Sequence, residues 1–156
     1  MRVPLLLDDF LRRPALVYPD KTAIVDGALR LTYRQYAERV NRLSNALLKL
    51  GVKKGQRVCM LSPNSHFFLE SFFATAQIGA ILVPLNYRLS PEEHVYILNH
   101  AGVRVALVDH EYTATVDAIR SQLRTVRHWI VASPTVTTTP TVEVVVPCGT
   151  GVLSQP

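Results

Sequence analysis

Apolar residues recur at helical spacing in one stretch of the chain and close up into short unbroken runs in others. That change of period divides the sequence into elements. Val40, Leu43, Leu47 and Leu50 return at three- and four-residue intervals, which places them on one face of a helix. Thr32 precedes the helix as an N-cap, Gln35 supplies the other half of a capping box, and Leu31 and Tyr36 occupy the positions of a hydrophobic staple. Gly51 is the expected left-handed stop. From there the pattern alternates. Arg57 to Leu61 reads as a strand, Ser65 to about Gln77 as a helix ended by Gly79, and Ala80 to Val83 as the next strand. A helix from Pro91 to about Ala101 with Gly102 as its stop, a strand from Arg104 to Val108, a helix from about Thr115 to Leu123 and a strand from His128 to Val131 extend the series. Strands separated by helices of this length predict an α/β fold, a parallel sheet with helices on both faces joined by right-handed crossovers.

Two local patterns refine that outline. Thr22 to Val25 and Leu29 to Leu31 flank Asp26-Gly27, and such a pair between short extended runs predicts a small β-hairpin ahead of the sheet. The stretch from Gly79 to Glu93 joins a strand to a capped helix with few spare residues. Ala80 to Val83 has the apolar character of a strand in the middle of a parallel sheet, and Pro84 removes a backbone donor where pairing is expected to stop. Ser90, Pro91 and Glu93 form an S-x-x-E capping box with proline at the first helical position. Asn86 and Arg88 therefore fall at a strand's carboxyl end, the edge of open α/β sheets where ligands bind.

After Ala132 the character changes. Residues 133–141 are rich in Thr and Pro, and Val142 to Val146 is β-prone without an evident partner in the same segment, so a disordered tail or a loosely attached strand is expected. The expected organisation is an α/β subdomain over 1–132 and a divergent tail over 133–156. Lys and Arg outnumber Asp and Glu by 17 to 12, a net charge of +5, but the basic residues are dispersed and no nucleic-acid motif accompanies them. Arg120, Arg124 and Arg127 are the nearest approach to a cluster and read as a solvated face near a helix end. Cys59 and Cys148 stand far apart in unlike contexts, which suggests neither a disulfide framework nor a metal site and fits a reducing compartment. Leu5-Leu6-Leu7 is interrupted by Asp8 and Asp9, and no apolar run approaches the roughly 20 residues of a membrane span. The expected location is cytoplasmic.

The string from Gly79 to Glu93, GAILVPLNYRLSPEE, resembles the N-terminal region of AMP-forming acyl-CoA synthetases, the fatty-acid-CoA ligase branch of the adenylate-forming superfamily. Tyr18 to Val25, Leu31-Thr32-Tyr33, Gly51 to Val58 and Ser62 to Ser65 are similar to that family's opening segments in the family's order, and the likeness runs from about Asp8 to about Ala132. The resemblance implies the N-terminal subdomain of the adenylate-forming fold. It also implies ATP-dependent activation of a carboxylic or fatty acid to an acyl-adenylate, followed by transfer to coenzyme A, with ATP, Mg and CoA serving the intact family. For Arg88, in the N-x-R-L position, it implies a place near the nucleotide end of coenzyme A, where a planar guanidinium suits phosphate. An arginine that ties its loop to the following helix is the alternative.

The family's Ser/Thr/Gly-rich phosphate loop ending in Pro-Lys-Gly is absent from these residues. Cys148-Gly149-Thr150-Gly151 lacks the lysine and a strand-to-helix setting, and the later adenylate motif, ribose-holding aspartate and lid lysine are also missing. No catalytic residue, metal site or bound cofactor is therefore expected for this chain alone. A truncated product, a frameshift or a fragment, inactive as a ligase, is the first expectation. An interaction module pairing with a homologous or complementary chain through an uncovered sheet edge is the alternative. An independent nucleotide-binding domain ranks last, since no glycine-rich turn follows Leu61, Val83 or Val108.

Other polar candidates have local readings. Asn86 is expected to satisfy its own turn, and Asn64 and Ser65 to start a helix. His66, His94, His100, His110 and His128 show neither metal spacing nor a nearby nucleophile. Tyr33, Tyr36, Phe67, Phe68, Phe72 and Phe73 read as helix residues facing a core.

Overall fold

The computed structural model describes residues 6–132 and 142–145. The Thr/Pro-rich stretch, the Cys148 to Gly151 segment and Cys148 itself lie outside the described residues. The elements run α1 (Asp9–Val17), β1 (Thr22–Asp26), β2 (Leu29–Thr32), α2 (Tyr33–Lys49), β3 (Arg57–Leu61), α3 (His66–Gln77), β4 (Ile81–Pro84), α4 (Pro91–Ala101), β5 (Val105–Asp109), α5 (Thr113–Ile119), β6 (His128–Ala132) and β7 (Val142–Val145). Most were expected from the residue pattern. α1 was not, because Asp8, Asp9 and an internal Pro14 break its apolar period while only Leu11 is buried.

The hairpin β1–β2 is antiparallel, with Asp26 opposite Leu29. Its two-residue loop is thus Gly27-Ala28 rather than Asp26-Gly27. Gly27 supplies the positive φ of 54° that the turn requires, and Asp26 remains at the end of β1, free to reach elsewhere. Both expected capping boxes form. Thr32 Oγ1 accepts from Gln35 N–H while the Gln35 side chain accepts from Thr32 N–H, and Ser90 and Glu93 do the same for α4.

The main sheet has the order β4-β3-β5-β6-β7, parallel from β4 to β6 and antiparallel at β7. The β-prone run after the Thr/Pro-rich segment does have a partner, the otherwise unpaired side of β6. Strand alternation sends Val58 and Met60 into one core with Val105, Leu107 and Ile130, covered by residues of α2 and α3 and by the hairpin. Cys59 and Leu61 enter a second core with Ala106, Val108 and Trp129, covered by α4 and α5. Burial pushes the Cys59 thiol up to about 12, so it stays protonated and inert. Between α2 and α3 the buried Arg39 and Glu70 pair at 2.5 Å; burial pushes the Glu70 carboxyl up and Arg39 opposes it.

β4 corrects one expectation. It is an edge strand, not a central one, and Ile81 is 50% exposed. Pro84 is the last residue of β4 and lies opposite Met60 in register. Ile81 N–H donates to Gln56 O and Leu85 N–H to Met60 O, so residues of odd number turn their N–H groups toward β3. Pro84 faces its missing donor to the open side, where an edge strand tolerates it. The helix expected to reach Leu123 stops earlier, at Ile119, and a 3₁₀ turn covers Arg120–Gln122. Arg120, Arg124 and Arg127 accordingly do not share a helical face. Arg120 instead places its guanidinium 5.5 Å from the Trp129 ring centroid. Among the described residues no helix is long and apolar enough to cross a membrane.

Candidate functional site

The order β4-β3-β5-β6 contains a reversal. The chain leaves β3 for β4 on one side and later leaves β5 for β6 on the other, with α3 and α5 packed on opposite faces. The carboxyl ends of β3 and β5 therefore diverge and leave a crevice between them, the topological switch point at which open α/β sheets take up ligands.

Polar side chains gather there. Ser62, buried and first after β3, holds Oγ 3.2 Å from Asp109 Oδ2, 2.8 Å from Pro63 O and 3.2 Å from Ser65 Oγ. Asp109 ends β5. Its Oδ1 accepts from Glu111 N–H at 3.2 Å and lies 2.9 Å from His110 Nδ1. Ser65 caps α3, its Oγ accepting from Phe68 N–H. The crevice between the two strands is thus bridged by a hydroxyl and a carboxylate that stand 47 residues apart in sequence.

Beside the crevice, the turn after β4 carries an exposed aromatic and cationic surface. The Tyr87 and Tyr112 rings meet at 5.8 Å between centroids, and the Arg88 guanidinium lies 5.5 Å from the Tyr87 ring. Tyr112 is held above the usual phenol range, first by partial burial and then by Glu111, Tyr87 and Asp109, while Arg88 pulls the other way. Among the described residues no carboxylate forms an ion pair with Arg88. Its fork of donors is open to an anion.

A second polar group sits below α3. Asp26 Oδ2 accepts from His66 N–H at 2.9 Å and lies 2.7 Å from His66 Nδ1. The His66 backbone N–H, and then its imidazole, hold the Asp26 carboxyl below the usual carboxylate range. Asp26 thereby serves as the anion at the N-terminus of α3 and ties the hairpin to the sheet. The pair lines a cleft of about 300 Å³ with Ile24, Val25, Phe68 and Leu69.

Of the residues singled out in sequence, Asn86 satisfies its own turn, its Oδ1 accepting from Arg88 N–H at 3.0 Å. Tyr36 and Phe67 are buried, whereas Phe72 is 40% exposed. His66 and His110 have carboxylate partners that sequence spacing did not reveal for His66, and His94 is buried against Asn86 O. Among the described residues no group of three His, Cys, Asp or Glu could hold a metal. The proximity of Ser62 to Asp109 and of Tyr87 to Tyr112 carried no sequence signal, since it depends on strand order. The one available hint was that Asp109 directly follows an apolar strand.

Residues 11–146 match the family model described as AMP-binding enzyme. The chain is 41% identical over 127 residues to a long-chain-fatty-acid–CoA ligase of Thermus thermophilus, covering 79% of this chain and 24% of that protein. It is 36% identical over 115 residues to 4-hydroxybutyrate–CoA ligase 2 of Metallosphaera sedula, covering 74% of this chain and 21% of the relative. The fold superposes on the N-terminal domain of FACL13 from Mycobacterium tuberculosis with a TM-score of 0.78 at 36% identity, over 83% of this chain and 34% of that one. The chain spans about a quarter of the length of the curated relatives it matches.

Proposed function

This chain belongs to the AMP-binding enzyme family, and on that premise we propose that it forms the N-terminal part of an AMP-forming acyl-CoA ligase. The single observation that carries the reading is the likeness, in both fold and sequence, to the N-terminal domain of FACL13. In this reading residues 1–132 form the N-terminal α/β subdomain and 133–156 a divergent tail, of which residues 142–145 add the strand β7 to the subdomain's sheet. The whole enzyme activates a carboxylic acid with ATP and transfers it to CoA. The relatives' names include a long-chain fatty acid and 4-hydroxybutyrate, which supports a shared scaffold in this region and a choice of acid made elsewhere.

Within that reading Arg88 contacts the nucleotide end of CoA. An open guanidinium offers charge-assisted hydrogen bonds to phosphate, and the neighbouring Tyr87 and Tyr112 rings offer a face on which a base can stack. The 156 residues alone contain no lysine-bearing phosphate loop, so no adenylation is expected from them.

Titration of CoA into the purified chain, followed by NMR, tests the site. Binding is expected to weaken about tenfold in Arg88→Ala, a loss of about 1.4 kcal/mol. Unchanged binding would remove Arg88 from the site, and robust ATP–pyrophosphate exchange by the chain alone would overturn the expectation of inactivity.

A further inference from the structure

His94 is 1% exposed and takes no part in the chemistry proposed above. It lies in the first turn of α4, where its backbone N–H donates to Ser90 O at 3.1 Å. Its Nε2 stands 3.0 Å from Asn86 O. A carbonyl oxygen only accepts, so Nε2 carries the hydrogen. Nδ1 is buried with no partner among the described residues. The neutral tautomer with hydrogen on Nε2 leaves a bare lone pair there, whereas the alternatives would bury an unpaired donor or a charge.

A buried nitrogen without a partner is unfavourable, so an apolar side chain would fill this position at lower cost. What the imidazole adds is the bond to Asn86. That carbonyl also accepts from Leu89 N–H at 3.2 Å, and Asn86 Oδ1 accepts from Arg88 N–H at 3.0 Å. Asn86 is therefore the knot of the turn, and His94 ties it to α4. The other end of the turn is held by the reciprocal Ser90 and Glu93 bonds. Tyr87 and Arg88 stand exposed between these two fixed points.

We propose that His94 is a positioning residue, which clamps the turn through Asn86 O and so presents the Arg88 guanidinium to an anionic nucleotide ligand. The clamp follows from geometry, and its ligand rests on the CoA reading of Arg88. A freely hinged turn would lose orientation on binding, while a clamped one is ordered beforehand.

The experiment compares the native chain with His94→Leu, which fills the space without a donor, and His94→Gln, which keeps one. Amide hydrogen exchange at Leu89 is expected to rise at least about tenfold in the leucine variant while exchange at Leu98 stays native, and to return toward native in the glutamine variant. The dissociation constant for adenosine 3′,5′-bisphosphate is expected to weaken about fivefold in the first variant and to recover in the second. Native exchange at Leu89 in His94→Leu would overturn the clamp. If the chain fails to bind the bisphosphate at all, the CoA reading falls and the exchange rates still judge the clamp. Should His94→Leu not fold, the imidazole ¹⁵N spectrum of the native chain decides. A bare Nε2, with the hydrogen on Nδ1 alone, overturns the proposal.

Discussion

Two junctions leave the carboxyl edge of the same sheet by the same local rules, and they end in different surroundings. β3 stops at Leu61 and α3 begins behind Ser65; β4 stops at Pro84 and α4 begins behind Ser90. Each serine accepts from the backbone N–H three residues ahead. The first junction is drawn inward, with Ser62 on Asp109 and His66 on Asp26. The second stays in solvent, with Asn86, Tyr87 and Arg88 exposed. The difference lies in strand position. β3 has a parallel neighbour on each side, whereas β4 has one. Capping is a local property, but engagement of the polar residues in the turn depends on what stands beside the strand.

The contrast is broken most directly in the cores. Leu61→Ala is expected to cost about 3 kcal/mol, since the side chain is 2% exposed in the second core. Ile81→Ala, at 50% exposed on the edge strand, is expected to cost under about 1 kcal/mol. Equal losses in urea denaturation would show that the edge strand is covered in solution.

Acid sharpens the same comparison. Asp26 is depressed by the His66 N–H and imidazole, so its contribution is present above the ordinary carboxylate range, near about pH 4, and is lost as pH falls through its lower folded value. Asp26→Asn is expected to reduce stability by about 1 kcal/mol at pH 7 and to flatten that part of the acid-side loss. Denaturation curves at pH 7 and pH 3 test this. An identical pH dependence in both proteins would deny the carboxylate its role at α3.

The smallest effect concerns the caps. Ser90→Ala is expected to cost about 1 kcal/mol and Ser65→Ala about half as much, because only the former belongs to a reciprocal box. Circular dichroism with thermal melts resolves the order of the two. A larger loss at Ser65 would indicate that its contact with Ser62 outweighs the missing second bond.

Local signals were legible wherever a few neighbouring residues set the backbone. The hairpin, both boxes and the glycine stops at Gly51, Gly79 and Gly102 fall into this class, each glycine with positive φ. Gly102 has a further reason to be glycine that no local pattern reveals. A Cβ there would come within 2.7 Å of Arg57 Nη2, and Arg57 Nε donates to Ala101 O at the end of α4. The failures have separate causes. α1 lacks a clean apolar period because it buries little, and the edge position of β4 is invisible because Ala80 to Val83 is as apolar as a central strand.

The candidate site divides along the same line. Arg88 and Asn86 could be placed at a strand's carboxyl end from the residue pattern alone, because a strand, a proline and a capped helix define that end within a few positions. The bridge from Ser62 to Asp109, the Asp26 anion at α3, the Tyr87 to Tyr112 contact and the His94 clamp needed the assembled fold. Backbone conformation is set over three or four residues by sterics and hydrogen bonds close at hand. Which polar groups meet is set by strand order and by the choice of sheet face, and those follow from how the two cores pack.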